Sequence, residues 1–421
     1  MPVSDTSPPH RTPAVIAAIA VAAVAGLAWG APIMARMIAD VDFPFHIETA
    51  ESFAATGRIT MPHFLLQVLL GSVVASGIAP AQQAALILFQ ALYVVTAALV
   101  CWYLIGAGRA GRAGRAGRAG GAGGASGAGG SLMSVLLAVA VLMSAPILPR
   151  GELDLYLIGY FPPNVYHNPT MVLARPLLVL TLACAVAALT RVGPLRVREL
   201  ILLTVPVVLL GLAKPNYLGC LVPALGLAAV WKYAEATDRP SAVSWIRVGA
   251  VCAAAVCTVG AMWLLYRALD LGQGAGVTFA PLAVIGHYAE VDAVSIVQNL
   301  AGSLAFPVGV TLLWPRAVWT DPGMRIAWAG TAVGLLISYF LAEAGDRLYD
   351  GNFLWTGQMA VFVLFVAAAA FLAARVTSGR PGAATLARGL AATTLLGLHV
   401  ESGIRHAVVK VDPSRWLAFW T

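Results

Sequence analysis

The stretch Val15–Ala31, "VIAAIAVAAVAGLAWGA", is apolar on every side for 17 residues. A membrane-spanning strand would alternate apolar and polar positions, so the block reads as helix. Its length approaches the roughly 20 residues needed to cross ~30 Å of hydrocarbon. Comparable blocks recur along the 421-residue chain, which is 60% hydrophobic and 11% charged, with a mean hydropathy of +0.83. Soluble domains carry about 25% charged residues, so this composition marks a polytopic membrane protein. Blocks at 13–35, 82–104, 132–148, 171–189, 200–213, 217–233, 248–267, 300–315, 326–342, 353–374 and 385–400 predict an all-α transmembrane helical bundle. It would have about 11 full spans in a single integral-membrane domain over 1–421. A further apolar segment, 62–77, is short enough to be a thin span or a helix tucked against the bundle.

The first block ends in "GLAWGA", which imitates a signal-peptide cleavage site, but only His10 and Arg11 precede it as basic residues. It reads as a retained helix. Cys101, Cys184, Cys220, Cys252 and Cys257 all fall in or beside apolar blocks without metal-like spacing and read as small buried residues.

Charge sorts the joints into two sets. Segment 106–130 holds Arg109, Arg112, Arg115 and Arg118 with no acid, and 190–199, 232–247, 316–325 and 375–384 are also net positive. The joints 36–61, 149–170, 268–299 and 343–352 are net negative. Positive joints are expected in the cytoplasm, which places the N-terminus inside and the acidic loops outside, with 36–61 as a first external loop and 401–421 as a short external tail. The Gly/Arg/Ala-rich tract 106–130 reads as a flexible cytoplasmic linker. It lacks aromatics and any nucleotide-binding spacing, so no nucleic-acid partner is expected.

The acidic loops are where ionisable and aromatic side chains gather. In "DVDFPFHIETA", Asp40–Ala50, Pro44 favours a helix starting near it, so Asp42 stands at the helix mouth with His46 four residues on. Such an aspartate is either a helix cap or a chemical group. In "YHNPT", His167 and Asn168 precede a proline at the next helix start, a position suited to phosphate or sugar hydroxyls. Tyr156, Tyr160 and Tyr166 suit interfacial anchors, and Arg175 is placed to snorkel or to pair with an anionic head group. Lys214 in "AKPNY" offers a lone cation, and "EAGDRLYDGNFLW" contributes Glu343, Arg347, Asp350 and Asn352. His287 with Glu290 lacks the second histidine or cysteine that a zinc site needs.

These loops resemble those of the GT-C class of integral-membrane glycosyltransferases, with "DVDFPFHIETA" as the first external loop, "MPHFLLQVLL" in the place of the next helix, and "YHNPTMVLARP" and "RLYDGNFLW" as further segments. The chain has "PHF" where paired prolines are common in that class. The resemblance implies sugar transfer from a polyprenyl-phosphate-linked donor to a cell-envelope glycan or lipid acceptor at the outer face of a bacterial plasma membrane. It implies Asp42 as base, Asp40 in second place, with His46 and Glu343 beside it in the catalytic group. Asp40, His167, Asn168, Lys214, Arg347, Asp350 and Asn352 would bind substrate. A divalent metal is compatible with this chemistry but has no assigned ligands. The alternative is a transporter or flippase of a lipid-linked saccharide.

Overall fold

A computed structural model describes residues 13–39, 42–61, 63–119, 127–148, 159–191, 193–236, 243–269, 276–288, 291–377 and 381–411. In chain order these form α1 (Pro13–Met37), α2 (Phe43–Thr56), α3 (Phe64–Ala75), α4 (Ala81–Ala119), α5 (Gly127–Met143), α6 (Pro169–Thr190) and α7 (Val197–Ala213). A 3-10 turn at Pro215–Tyr217 leads into α8 (Leu218–Glu235), α9 (Trp245–Ala268), β1 (Val277–Phe279), α10 (Ala283–Tyr288), α11 (Ala293–Leu313), α12 (Pro315–Val318) and α13 (Pro322–Phe340). The chain closes with β2 (Leu341–Glu343), a 3-10 turn at Gly345–Arg347, α14 (Leu354–Val376) and α15 (Ala383–Val411).

Among the described residues eight helices are long and apolar enough to cross a membrane. They are α1, α4 over Ala81–Arg109, α6, α8 with its preceding turn, α9, α11, α14, and α15 over Ala383–Val408. The expected count of about 11 is therefore corrected to eight. The three excess candidates fail for physical reasons. The helices α5 and α7 have 17 residues each, about 25 Å of rise against ~30 Å of hydrocarbon. Helix α13 has 19 residues but opens on Pro322 and Gly323 with Arg325 in its first turn, which shortens its apolar part. All three pack on neighbouring helices, α5 on α1, α7 on α6 and α9, and α13 on α14 and α8, each burying one face while residues such as Leu136, Leu202 and Leu336 stay exposed. Segment 62–77 becomes the 12-residue α3, packed on α2.

Helix α14 is the axis of the bundle. Its most apolar window is 83% buried, against 22% for α11 and for α15, and every residue from Thr356 to Ala373 is buried. A helix apolar all round belongs in the interior, and this one packs on α4, α5, α6 and α13. Residues 106–119 continue α4 as helix and 401–411 continue α15, while 120–126 and 412–421 lie outside the described residues.

The joints collect at two ends. At one end Arg247 holds Glu199 through two hydrogen bonds of 2.9 and 2.8 Å and donates to the carbonyls of Gly193 and Pro194, while Arg325 pairs with Glu235. These are the basic joints. At the other end the acidic loops meet: β1 pairs antiparallel with β2, Val277 opposite Glu343 and Phe279 opposite Leu341, which ties the joint at 268–299 to that at 343–352.

Candidate functional site

Asp42 stands at the N-cap of α2, with Pro44 in the first turn, yet its side chain makes no cap hydrogen bond. The carboxylate instead accepts from Asn168 Nδ2 at 3.2 Å. The stripe Phe43, His46, Ile47 and Ala50 anchors α2 inward, with Phe43 edge-on to Phe89 of α4 at 4.8 Å. Gln67 of α3 fixes the turn between the two helices, donating to the Thr49 carbonyl and Thr60 hydroxyl, both at 2.9 Å, and accepting from the Thr60 N–H.

Asn168 works twice. Its Oδ1 caps α6, accepting from the Met171 N–H at 3.1 Å, and also accepts from the Thr170 hydroxyl at 2.7 Å. This leaves Nδ2 for Asp42. Lys214, only 2% exposed, ends α7 and donates to the same Thr170 hydroxyl at 3.0 Å. Its Nζ lies 5.1 Å from the centre of the Trp355 ring, in the first turn of α14, where the π face supplies a cation–π contact. The His167 ring is 5.4 Å from the same tryptophan. Asp42, Asn168, Thr170, Lys214, Trp355 and His167 thus form one connected group at the mouths of α2, α6, α8 and α14.

Glu343, at the end of β2, accepts from Asn352 Nδ2 at 2.7 Å and lies 3.3 Å from Arg347, which pairs in turn with Asp350 at 2.8 Å. Asn216 joins this set to the Lys214 joint by donating to the Asn352 carbonyl at 2.7 Å. Neither Asp350 nor Asn352 caps α14, whose N-cap is Phe353.

The charges act on one another. Burial raises the Asp42 carboxyl above its usual range, with Lys214 and then Asn168 pulling against it. Lys214 is pushed down to about 7 by burial, opposed by Asp42 and Glu343. His46 is lowered to about 4, by burial and then by Lys214. His63, beside α3, is lowered well below its usual value by burial, with Lys214, His46 and Arg347 acting in the same direction. Its Nδ1 is buried without a hydrogen-bond partner.

Of the residues expected from sequence, Asp42, Asn168, Lys214 and His167 stand together with Thr170 and Trp355, and Glu343, Arg347, Asp350 and Asn352 form a second, linked set. His46 lies in the same electrostatic field, but the hydrogen bond to the Asp42 carboxylate comes from Asn168. Asp40 falls outside the described residues. Arg175 does not snorkel: it is 3% exposed and turned into the bundle. Thr170, Trp355 and His63 join the group without having been singled out, although "YHNPT", "GNFLW" and "MPHF" contain them. Among the described residues no three His, Cys, Asp or Glu side chains are grouped to hold a metal ion.

No protein-family model, curated protein or solved structure matches the chain.

Proposed function

We propose that this end of the bundle transfers a sugar from a polyprenyl-phosphate donor to a glycan or lipid acceptor, as the resemblance to GT-C transferases implies. The observation carrying the reading is the Asp42 carboxylate: it stands at a helix mouth, caps nothing, and is held by Asn168 in the field of a buried lysine. In this reading Asp42 takes the proton from an acceptor hydroxyl. The hydroxyl oxygen attacks the anomeric carbon, the anomeric C–O bond to phosphate breaks, and the polyprenyl phosphate leaves as an anion. Lys214 and Arg347 offset the charge growing on that phosphate. Trp355 offers an apolar ring face to the sugar, Asn352 and His167 contact its hydroxyls, and Glu343 holds Asn352 and Arg347 in place. His46 is a substrate contact in this scheme, since Asn168 already orients Asp42. The acidic end then faces the outside of the plasma membrane.

The test is to reconstitute the full chain in liposomes and supply a panel of polyprenyl-phosphate sugars with glycan and lipid acceptors. The expected result is glycosylated acceptor and free polyprenyl phosphate from at least one donor, in equal amounts. A second reading, translocation of a lipid-linked saccharide, draws on Arg175, a cation buried within the span α6. Donor that changes leaflet with its sugar–phosphate bond intact would select that reading and reject transfer.

A further inference from the structure

Arg175 sits in the second turn of α6, inside a membrane-spanning helix. Its guanidinium lies 5.5 Å from the centre of the Tyr93 ring of α4 and 5.8 Å from that of Tyr166. The Nη2 group donates to the Val165 carbonyl, but Nη1 is buried with no hydrogen-bond partner, and so are the hydroxyls of Tyr93 and Tyr166. The Tyr93 hydroxyl faces Arg175 and that of Tyr166 faces the Trp29 indole without a well-formed bond in either case. Both tyrosines are 1% exposed, and the His406 ring stacks on Tyr166 at 6.0 Å as an outer wall. Gly30 of α1 makes room for this group, because a Cβ there would strike the Tyr93 ring.

Among the described residues no carboxylate pairs with Arg175, although breaking or omitting a buried ion's partner is strongly unfavourable. Unmade hydrogen bonds on buried donors are costly as well. A guanidinium over two tyrosine rings, with its Nη1 and both hydroxyls buried and their hydrogen bonds unmade, suits an acceptor-rich anion with several oxygens around one centre. We infer that the nest formed by Arg175, Tyr93 and Tyr166 binds a phosphate oxyanion inside the bundle. The inference does not rest on the transfer reading. Its phosphate comes either from a membrane lipid's head group or from free phosphate, and the two sources share the same chemistry.

The experiment uses the full chain in nanodiscs. In one arm, discs of neutral phosphatidylcholine are titrated with inorganic phosphate against chloride at equal ionic strength. In the other, phosphatidic acid or phosphatidylglycerol is added to the discs, and binding is read by native mass spectrometry and by thermal stability. The expected result is saturable binding in one arm, weakened at least tenfold in Arg175→Gln. Because Arg175→Gln can disturb folding, the double variant Tyr93→Phe with Tyr166→Phe keeps the charge and the ring volume while removing both hydroxyls. It should weaken binding several-fold with unchanged size-exclusion behaviour. Saturable binding in the lipid arm identifies the head group as the source, and in the salt arm free phosphate. Absence of saturable binding in both arms, or wild-type binding by a folded double variant, overturns the assignment.

Discussion

The transfer reading turns on two residues at the acidic end, and burial shifts the charge of both. Asp42 is raised above its ordinary value, so the carboxylate required as base appears at higher pH than for an exposed aspartate. Lys214, pushed down to about 7, is cationic below that pH and loses its charge above it. Transfer should therefore rise with pH as Asp42 ionises and fall as pH passes about 7, where the phosphate-facing cation is lost. Lys214→Arg keeps its charge at any working pH. In that variant the falling limb should vanish from the rate profile between pH ~6 and ~9, and a falling limb that stays near 7 would remove Lys214 from the scheme. The possibility of chemistry at Asp42 was legible in "DVDFPF", because proline fixes where the helix starts. Its partner was not. Asn168 and His46 are both amide- or imidazole-bearing residues within reach of a helix mouth, and only the approach of α6 to α2 selects between them. Of the two expectations for Arg175 only snorkelling fails, for a related reason: position along a helix says how deep a residue lies, whereas the rings of Tyr93 and Tyr166 determine which way it turns.

At the level of elements, short segments hold the acidic end in register with the bundle. Residues 144–148 follow α5 without helix and are tied to two helices at once. Ala145 N–H donates to the His399 carbonyl at 3.0 Å and Ile147 N–H to the Gly302 carbonyl at 2.9 Å. His399 completes the junction: one ring nitrogen lies 2.7 Å from the Ala145 carbonyl and the other accepts the Phe306 N–H at 3.2 Å. Two such bonds require a neutral imidazole with the proton on Nδ1, so this buried histidine is a structural link. The end of α5 approaches α15 so closely that a Cβ on Gly403 would fall on the Met143 carbonyl. Gly403→Ala is expected to cost about 2 kcal/mol or more, since backbone cannot yield as a side chain does. Gly397, on the same helix, has open space around it. Gly397→Ala should leave the melting temperature in detergent unchanged or raise it, and equal effects from the two substitutions would refute the close contact. None of this was visible in the hydropathy of either helix, because glycine is read there only as weakly apolar.

For the whole molecule, composition made the membrane class and the helical architecture plain, and the sign of each joint separated the loops that now meet at opposite ends. The number of crossings was overestimated because hydropathy marks an apolar block without fixing where its helix starts and stops. Helices α5, α7 and α13 are apolar and packed among neighbours, but too short or too polar at their start to cross by themselves. What survives is the gathering of Asp42, Asn168, Thr170, Lys214, Trp355 and Glu343, delivered by five separate stretches of chain to one end of the bundle. The most direct test of the central claim is the single-turnover transfer rate of Asp42→Asn against the unaltered protein in liposomes, with matched insertion and melting temperature. Loss of a general base predicts a fall of about 10²- to 10⁴-fold with donor binding retained. Transfer at the unaltered rate in that variant would contradict the assignment of Asp42.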